Sequence, residues 1–183
     1  MRPHRRGALR GPLFLCLILI ALALSRCGSD GDDRGSAEPR GPVSALVTDV
    51  VDGDTIEVEL PDGSEEDVRY IGIDTPETVK PGEPVECGGP RAHDVNERLV
   101  AGRRVTLRFD AERRDQYDRL LAYVYLPAAE TGGRPMFVNA ELLRRGLART
   151  LTIAPNDSFA DRFARIAARA GARGRGLWGR CPL

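Results

Sequence analysis

The sequence predicts a mainly β domain of the mixed α+β class: a five-stranded OB-type barrel with three α-helices. Three observations carry that reading. Apolar residues over 43–73 and 103–127 alternate or cluster at strand spacing, the turn signal PDG (61–63) divides two of these runs, and helical spacing follows the third strand and the fifth.

Taken in order, VSALVTDVV (43–51) and TIEVEL (55–60) read as the first two strands, and EEDVRYIGI (65–73) as the third beyond PDG. RRVTLRFD (103–110) and RLLAYVYLP (119–127) supply the fourth and fifth, separated by the polar AERRDQYD. Helices are expected over 90–102, with proline at the start and glycine at the end, over 138–148, and over the Ala/Arg-rich 158–174. The arginines of the last helix read as a solvated face, His93 as a surface residue, and Trp178 as packing for that helix. No internal repeat is present.

The opening thirty or so of the 183 residues do not read as folded protein. Arg2, Arg5, Arg6 and Arg10 precede the apolar run PLFLCLILIALAL (12–24), the layout of an export signal and too short to span a bilayer comfortably. Residues 1–27 are therefore set apart from the fold as a signal. The small residues before Cys27 resemble a lipoprotein signal, in which that cysteine is acylated, although Arg26 stands where glycine or alanine is usual; cleavage after Ser25 and a signal left uncleaved as an anchor are the alternatives. Acylated or cleaved, the protein is expected to be exported, extracellular or lipid-anchored at the cell membrane. The stretch GSDGDDRGSAEPRGP (28–42) reads as a disordered tether, which leaves 43–183 as the folded domain.

Of four cysteines, only Cys87 and Cys181 fall in that domain. In an exported protein such a pair points to one disulfide, two free thiols being the alternative. No CxxC spacing or partnering histidine favours a metal site there. Charge excludes binding through bulk electrostatics: Lys+Arg and Asp+Glu are 27 each, and from Gly41 onward 20 basic residues face 23 acidic ones, a difference of −3. Attraction to a nucleic acid must be local, or carried by a cation.

Four acids gather at two strand ends: Asp52 and Asp54 in DGDT, Asp74 and Glu77 in IDTPE. Pro76 keeps Thr75 extended and makes the loop rigid. If the strand ends adjoin, Asp54 and Asp74 form a hard-oxygen pair suited to Ca²⁺ or Mg²⁺. Arg69 leads into IDTPE and Arg119 opens the fifth strand, each offering a bidentate fork for phosphate. A cation, a spare carboxylate and two arginines make a phosphodiester-cleaving set. Taken singly, each group reads as well as a turn residue or a surface ion-pair partner.

The order DGDT, VRYIGIDTPE, CGGP, DQYDRLLAYVY, VNAELLRRGLA, APND, GLW resembles the staphylococcal nuclease family over nearly all of 43–178. The resemblance implies an OB-type barrel with three helices and a monomeric, Ca²⁺-dependent endonuclease acting on DNA and RNA, leaving 3′-phosphate ends. It implies Asp54, Asp74 and the Thr75 carbonyl as metal ligands, with Asp52 outside them. Glu77 is similar to the acid assigned to orient or deprotonate the attacking water, Arg69 and Arg119 to the arginines that hold the phosphate, and Tyr117 to a substrate contact. The full acid and arginine set separates this reading from its alternative, a non-catalytic OB-type nucleic-acid-binding module. Three positions depart from the family pattern. Asp118 stands in place of a turn glycine, Gln116 in place of a basic residue, and LARTLTIAPND lacks the tyrosines that stack on the nucleotide. Weaker nucleotide binding is expected, since a stacked base contributes about 1–3 kcal/mol.

Overall fold

The computed structural model describes residues 41–78 and 84–181. The signal, Cys27 and almost all of the tether lie outside the described residues. Among those described, no helix is long and apolar enough to cross a membrane.

The chain runs β1 (Val43–Asp52), β2 (Thr55–Glu59), β3 (Glu65–Tyr70), β4 (Ile73–Asp74), α1 (Gly89–Val100), β5 (Arg104–Arg108), β6 (Leu120–Leu126), α2 (Ala128–Thr131), β7 (Met136–Phe137), α3 (Val138–Arg145), β8 (Arg149–Thr150), α4 (Ala160–Gly171) and α5 (Leu177–Arg180). The main sheet has the order β3-β2-β1-β5-β6-β7. Parallel pairing of β3 with β6, Arg69 opposite Leu121, closes five of these strands into a barrel. Closure removes the sheet edges and buries Val47, Ile56, Val58, Val68, Leu107 and Leu126 inside.

The five long strands and three long helices match the sequence reading, with α2 and α5 added as single turns. The third strand does not run unbroken from 65 to 73. It ends at Tyr70 because Gly72 adopts φ +80, and a Cβ there would lie 2.6 Å from the Phe163 ring. The chain therefore turns beneath α4 and resumes as β4, paired with β8 rather than with the barrel. Helix α3 stops at Gly146, φ 71, a left-handed C-cap that glycine adopts without penalty.

Buried asparagines tie the helices to the barrel. Asn139 on α3 accepts from the Val124 amide at 2.9 Å and donates to the Ile71 carbonyl at 2.9 Å. Asn96 on α1 accepts from the Tyr70 hydroxyl at 3.1 Å and donates to the Asp52 carbonyl at 3.1 Å. Trp178 packs against α4 at Gly171, and Arg162, Arg165 and Arg169 lie on that helix's exposed side, as expected. The Cys87 and Cys181 sulfurs are 2.09 Å apart, joining the loop before α1 to the chain's last described residue.

Candidate active site

Strand pairing assembles the site. Thr55 lies opposite Arg69 across β2–β3, and the Asp54 carbonyl accepts from the Tyr70 amide at 2.9 Å, so Asp54 is held beside the end of β3. The turn at Gly72 then brings Asp74 back toward Arg69. The guanidinium joins the two carboxylates: Nη1 contacts Asp54 Oδ1, and Nη2 donates to Asp74 Oδ1 at 2.8 Å. The second Asp54 oxygen accepts from the Thr75 amide at 2.7 Å. Asp54 is buried and Asp74 is half-exposed, so the pair has one sealed and one open side.

Barrel closure sets the arginines together. Arg69 pairs with Leu121, two residues beyond Arg119, and both guanidiniums line one cleft of about 380 Å³ with Tyr117, Leu151 and Ile153. Burial lowers the Arg69 pKa from its ordinary value, and the nearby Arg119 acts in the same direction, while Asp74 and Asp52 oppose both. Arg119 is held by Asp115, whose Oδ2 accepts from Nε at 2.8 Å and lies 2.7 Å from Nη2. Burial would raise the Asp115 carboxyl, but the Arg119 side chain and the amides of Tyr117 and Arg119 bring it below the usual carboxylate value.

Glu77 lies in the loop beyond Pro76, which two contacts shape. Asp52 accepts from the Thr78 hydroxyl at 2.8 Å, and the Glu77 carbonyl accepts from the Glu86 amide at 3.0 Å. Asp52 is therefore turned toward this loop. Burial raises its pKa; the Gly53 amide and the Thr78 hydroxyl oppose that rise, and the adjacent Glu77 carboxylate adds to it. Gly53, between the two acids, has no room for a side chain: a Cβ would lie 2.7 Å from Thr75 Oγ1 and 2.8 Å from Ala92.

The carboxylates fit a divalent cation. Their two inward oxygens already share one positive group, the guanidinium, and the buried Thr75 hydroxyl beside them has no hydrogen-bond partner among the described residues. Hard, anionic oxygens converging on one positive charge are part of the oxygen set a divalent cation takes, and no group of three or more His, Cys, Asp or Glu side chains gathers for one among the described residues.

A chain with this closed barrel, two acids sharing an arginine, and a second arginine opening onto the same cleft has close relatives. Residues 67–180 match the family model described as staphylococcal nuclease homologue. The chain belongs to the staphylococcal nuclease family. It is 41% identical over 150 residues to the thermonuclease of Staphylococcus intermedius, an overlap of 81% of this chain and 84% of the relative. It is 39% identical over 132 residues to the thermonuclease of Staphylococcus hyicus, covering 72% and 73%. It is also 40% identical over 123 residues to endonuclease YncB of Bacillus subtilis (strain 168), covering 66% of this chain and 54% of that protein. The chain is a nuclease, and its substrate is nucleic acid.

Within this nuclease-family barrel two of the three departures have structural answers. Asp118 takes φ 68, the left-handed turn that the family's glycine adopts easily and that Asp tolerates better than most residues. Its Oδ1 lies 3.6 Å from Nε of Arg114, a guanidinium that Glu66 already holds at 2.8 Å. Leu151 and Ile153, both exposed, give the cleft aliphatic surface where stacking tyrosines were missed. Tyr117 is 71% exposed and lies 5.4 Å from the Arg119 guanidinium, ring centroid to Cζ. Sequence reasoning missed Asp115, Thr78 and Glu86 as groups that position the arginine and the Glu77 loop. For Asp115 the only signal was its i,i+4 spacing from Arg119.

Proposed function

We propose that this nuclease is a calcium-dependent endonuclease that hydrolyses phosphodiester bonds of DNA and RNA to 3′-phosphate and 5′-hydroxyl ends. The observation that supports it most is the meeting of Asp54 and Asp74 on one guanidinium beside a second guanidinium in the same cleft. Calcium held by Asp54, Asp74 and the Thr75 carbonyl would neutralise phosphate charge and polarise a non-bridging oxygen.

The chain's own residues supply the rest. Arg69 exchanges its carboxylate partners for the phosphate, and Arg119, lining the same cleft, approaches that phosphate as well. Both offset charge that develops on the equatorial oxygens. Glu77 accepts a proton from the attacking water as the water oxygen bonds to phosphorus. The bond from phosphorus to the 5′ oxygen breaks, and that oxygen takes a proton from solvent. Aliphatic contact from Leu151 and Ile153 in place of aromatic stacking makes nucleotide affinity modest and weakly base-selective.

The arginine-flanked apolar segment before Cys27 supports export, with the protein either released after Ser25 or tethered through an acylated Cys27; mass spectrometry of the mature N-terminus distinguishes the two. The activity test incubates the protein with single-stranded DNA, and separately with RNA, in calcium and in chelator, followed by end-group analysis. Cleavage only in calcium, with 3′-phosphate ends, is expected. Intact strands in both conditions would instead favour a nucleic-acid-binding barrel without catalysis.

A further inference from the structure

We infer that a second cleft, on the far side of Asp74, is a strand-binding subsite in which Arg149 grips a backbone phosphate of the nucleic acid. The inference rests on the nuclease reading and extends it by locating where the strand continues.

A phosphodiester inside a chain carries a nucleotide on each side, so a strand cut at the Arg69–Arg119 cluster needs two places to lie. The cleft containing Tyr117 and Arg119 is one. The other is a cavity of about 270 Å³ lined by Asp74, Thr75, Pro76, Glu86, Arg149 and the Cys87–Cys181 disulfide. The Asp74–Thr75 segment lines this cavity and also contacts Arg69 and Asp54, so the two clefts meet at the proposed reaction centre.

Arg149 is placed there by the β4–β8 pairing, which sets it directly opposite Asp74. It is exposed, and no ion pair engages it among the described residues. That separates it from its neighbours: Asp115 holds Arg119, and Glu141 holds both Arg144 and Arg145. Glu86, the cavity's other acid besides Asp74, is turned to the Glu77 amide, 3.3 Å from its Oε2. The disulfide contributes a fixed, uncharged wall. A guanidinium with no ion-pair partner among the described residues, over such a floor, matches the fork that a phosphate takes. In a domain whose net charge is slightly negative, an exposed cation beside the cutting site is also the local attraction the composition demands.

The test compares wild type, Arg149→Ala and Arg149→Lys on a single-stranded oligodeoxynucleotide. Affinity for a nucleoside 3′,5′-bisphosphate, which reaches only the Tyr117 cleft, is measured alongside. Arg149→Ala is expected to raise KM for the oligonucleotide about 5–10-fold, and to lower the slope of log KM against log salt by about 0.7, the loss of one phosphate contact. Bisphosphate affinity should hold, and Arg149→Lys should recover most of the KM. Because Arg149 is exposed, melting temperatures of both variants should match the wild type. An unchanged KM and salt slope would overturn the inference. So would a parallel loss of kcat and bisphosphate affinity, which would make Arg149 a modulator of Asp74. A wild type that cuts no nucleic acid would refute the nuclease mechanism, and this subsite with it; active wild type with an unaltered Arg149→Ala refutes the subsite alone.

Discussion

Asp115 and Asp118 share one turn and serve different arginines. Asp115 points Arg119 into the cleft, and Asp118 answers Arg114 outside it. Asp115→Ala should therefore lower kcat/KM about 10-fold while Asp118→Ala leaves it nearly unchanged, a contrast read from steady-state rates on single-stranded DNA. Glu77→Gln and Arg119→Ala should each lose activity by orders of magnitude with the fold intact by circular dichroism; wild-type rates in either would remove that residue from the mechanism. Gly53→Ala should destabilise the chain by about 1–3 kcal/mol, measured by denaturant unfolding, because its methyl group meets Thr75 and Ala92 at once. The Asp115 clamp was not legible in the sequence. An acid four residues before an arginine in a polar loop looks like any surface pair, and only barrel closure shows that the arginine faces the site.

Among the elements, the long strands were legible because the barrel buries alternate residues and the apolar pattern records this directly. Positions of β4 and β8 were not. Arg149 and Thr150 are both exposed and carry no apolar pattern, and the break before β4 is imposed by a ring from α4, far along the chain. The same long-range logic makes Asn139 a joint between α3, β6 and the turn into β4. Removing its amide leaves a buried amide and a buried carbonyl unpaired, so Asn139→Ala should cost about 2–4 kcal/mol in chemical denaturation. Asp110 joins β5 to the start of α4 in a similar way, accepting from Tyr123 Oη at 2.8 Å and from Ser158 Oγ at 2.8 Å. Burial would raise its carboxyl, but these bonds lower it below the ordinary value. A carboxyl lowered by folding contributes stability that is complete above its unfolded pKa and is lost as pH falls through the folded value. Unfolding midpoints should accordingly drop as pH goes below about 4, and Asp110→Asn should flatten that drop.

At the scale of the whole molecule, Asp54, Arg69, Asp74 and Arg119 come from separate segments to one place because the barrel closes and one strand is split from it. That convergence could be anticipated only from the resemblance, since each acid and arginine alone has an ordinary structural use. The Cys87–Cys181 disulfide joins the loop before α1 to the last described residue, 94 positions along the chain. Replacement of both cysteines by serine should lower stability by up to about 4–5 kcal/mol on the chain-entropy account, read from unfolding midpoints. The central claim is that Asp54 and Asp74 together hold one divalent cation. Its most direct measurement is calorimetric titration of calcium into the protein carrying a nucleoside bisphosphate, beside the same titration of Asp74→Asn. The account predicts one ion per wild-type chain and binding weakened by at least about tenfold in the variant; equal binding in both, or none in the wild type, would contradict it.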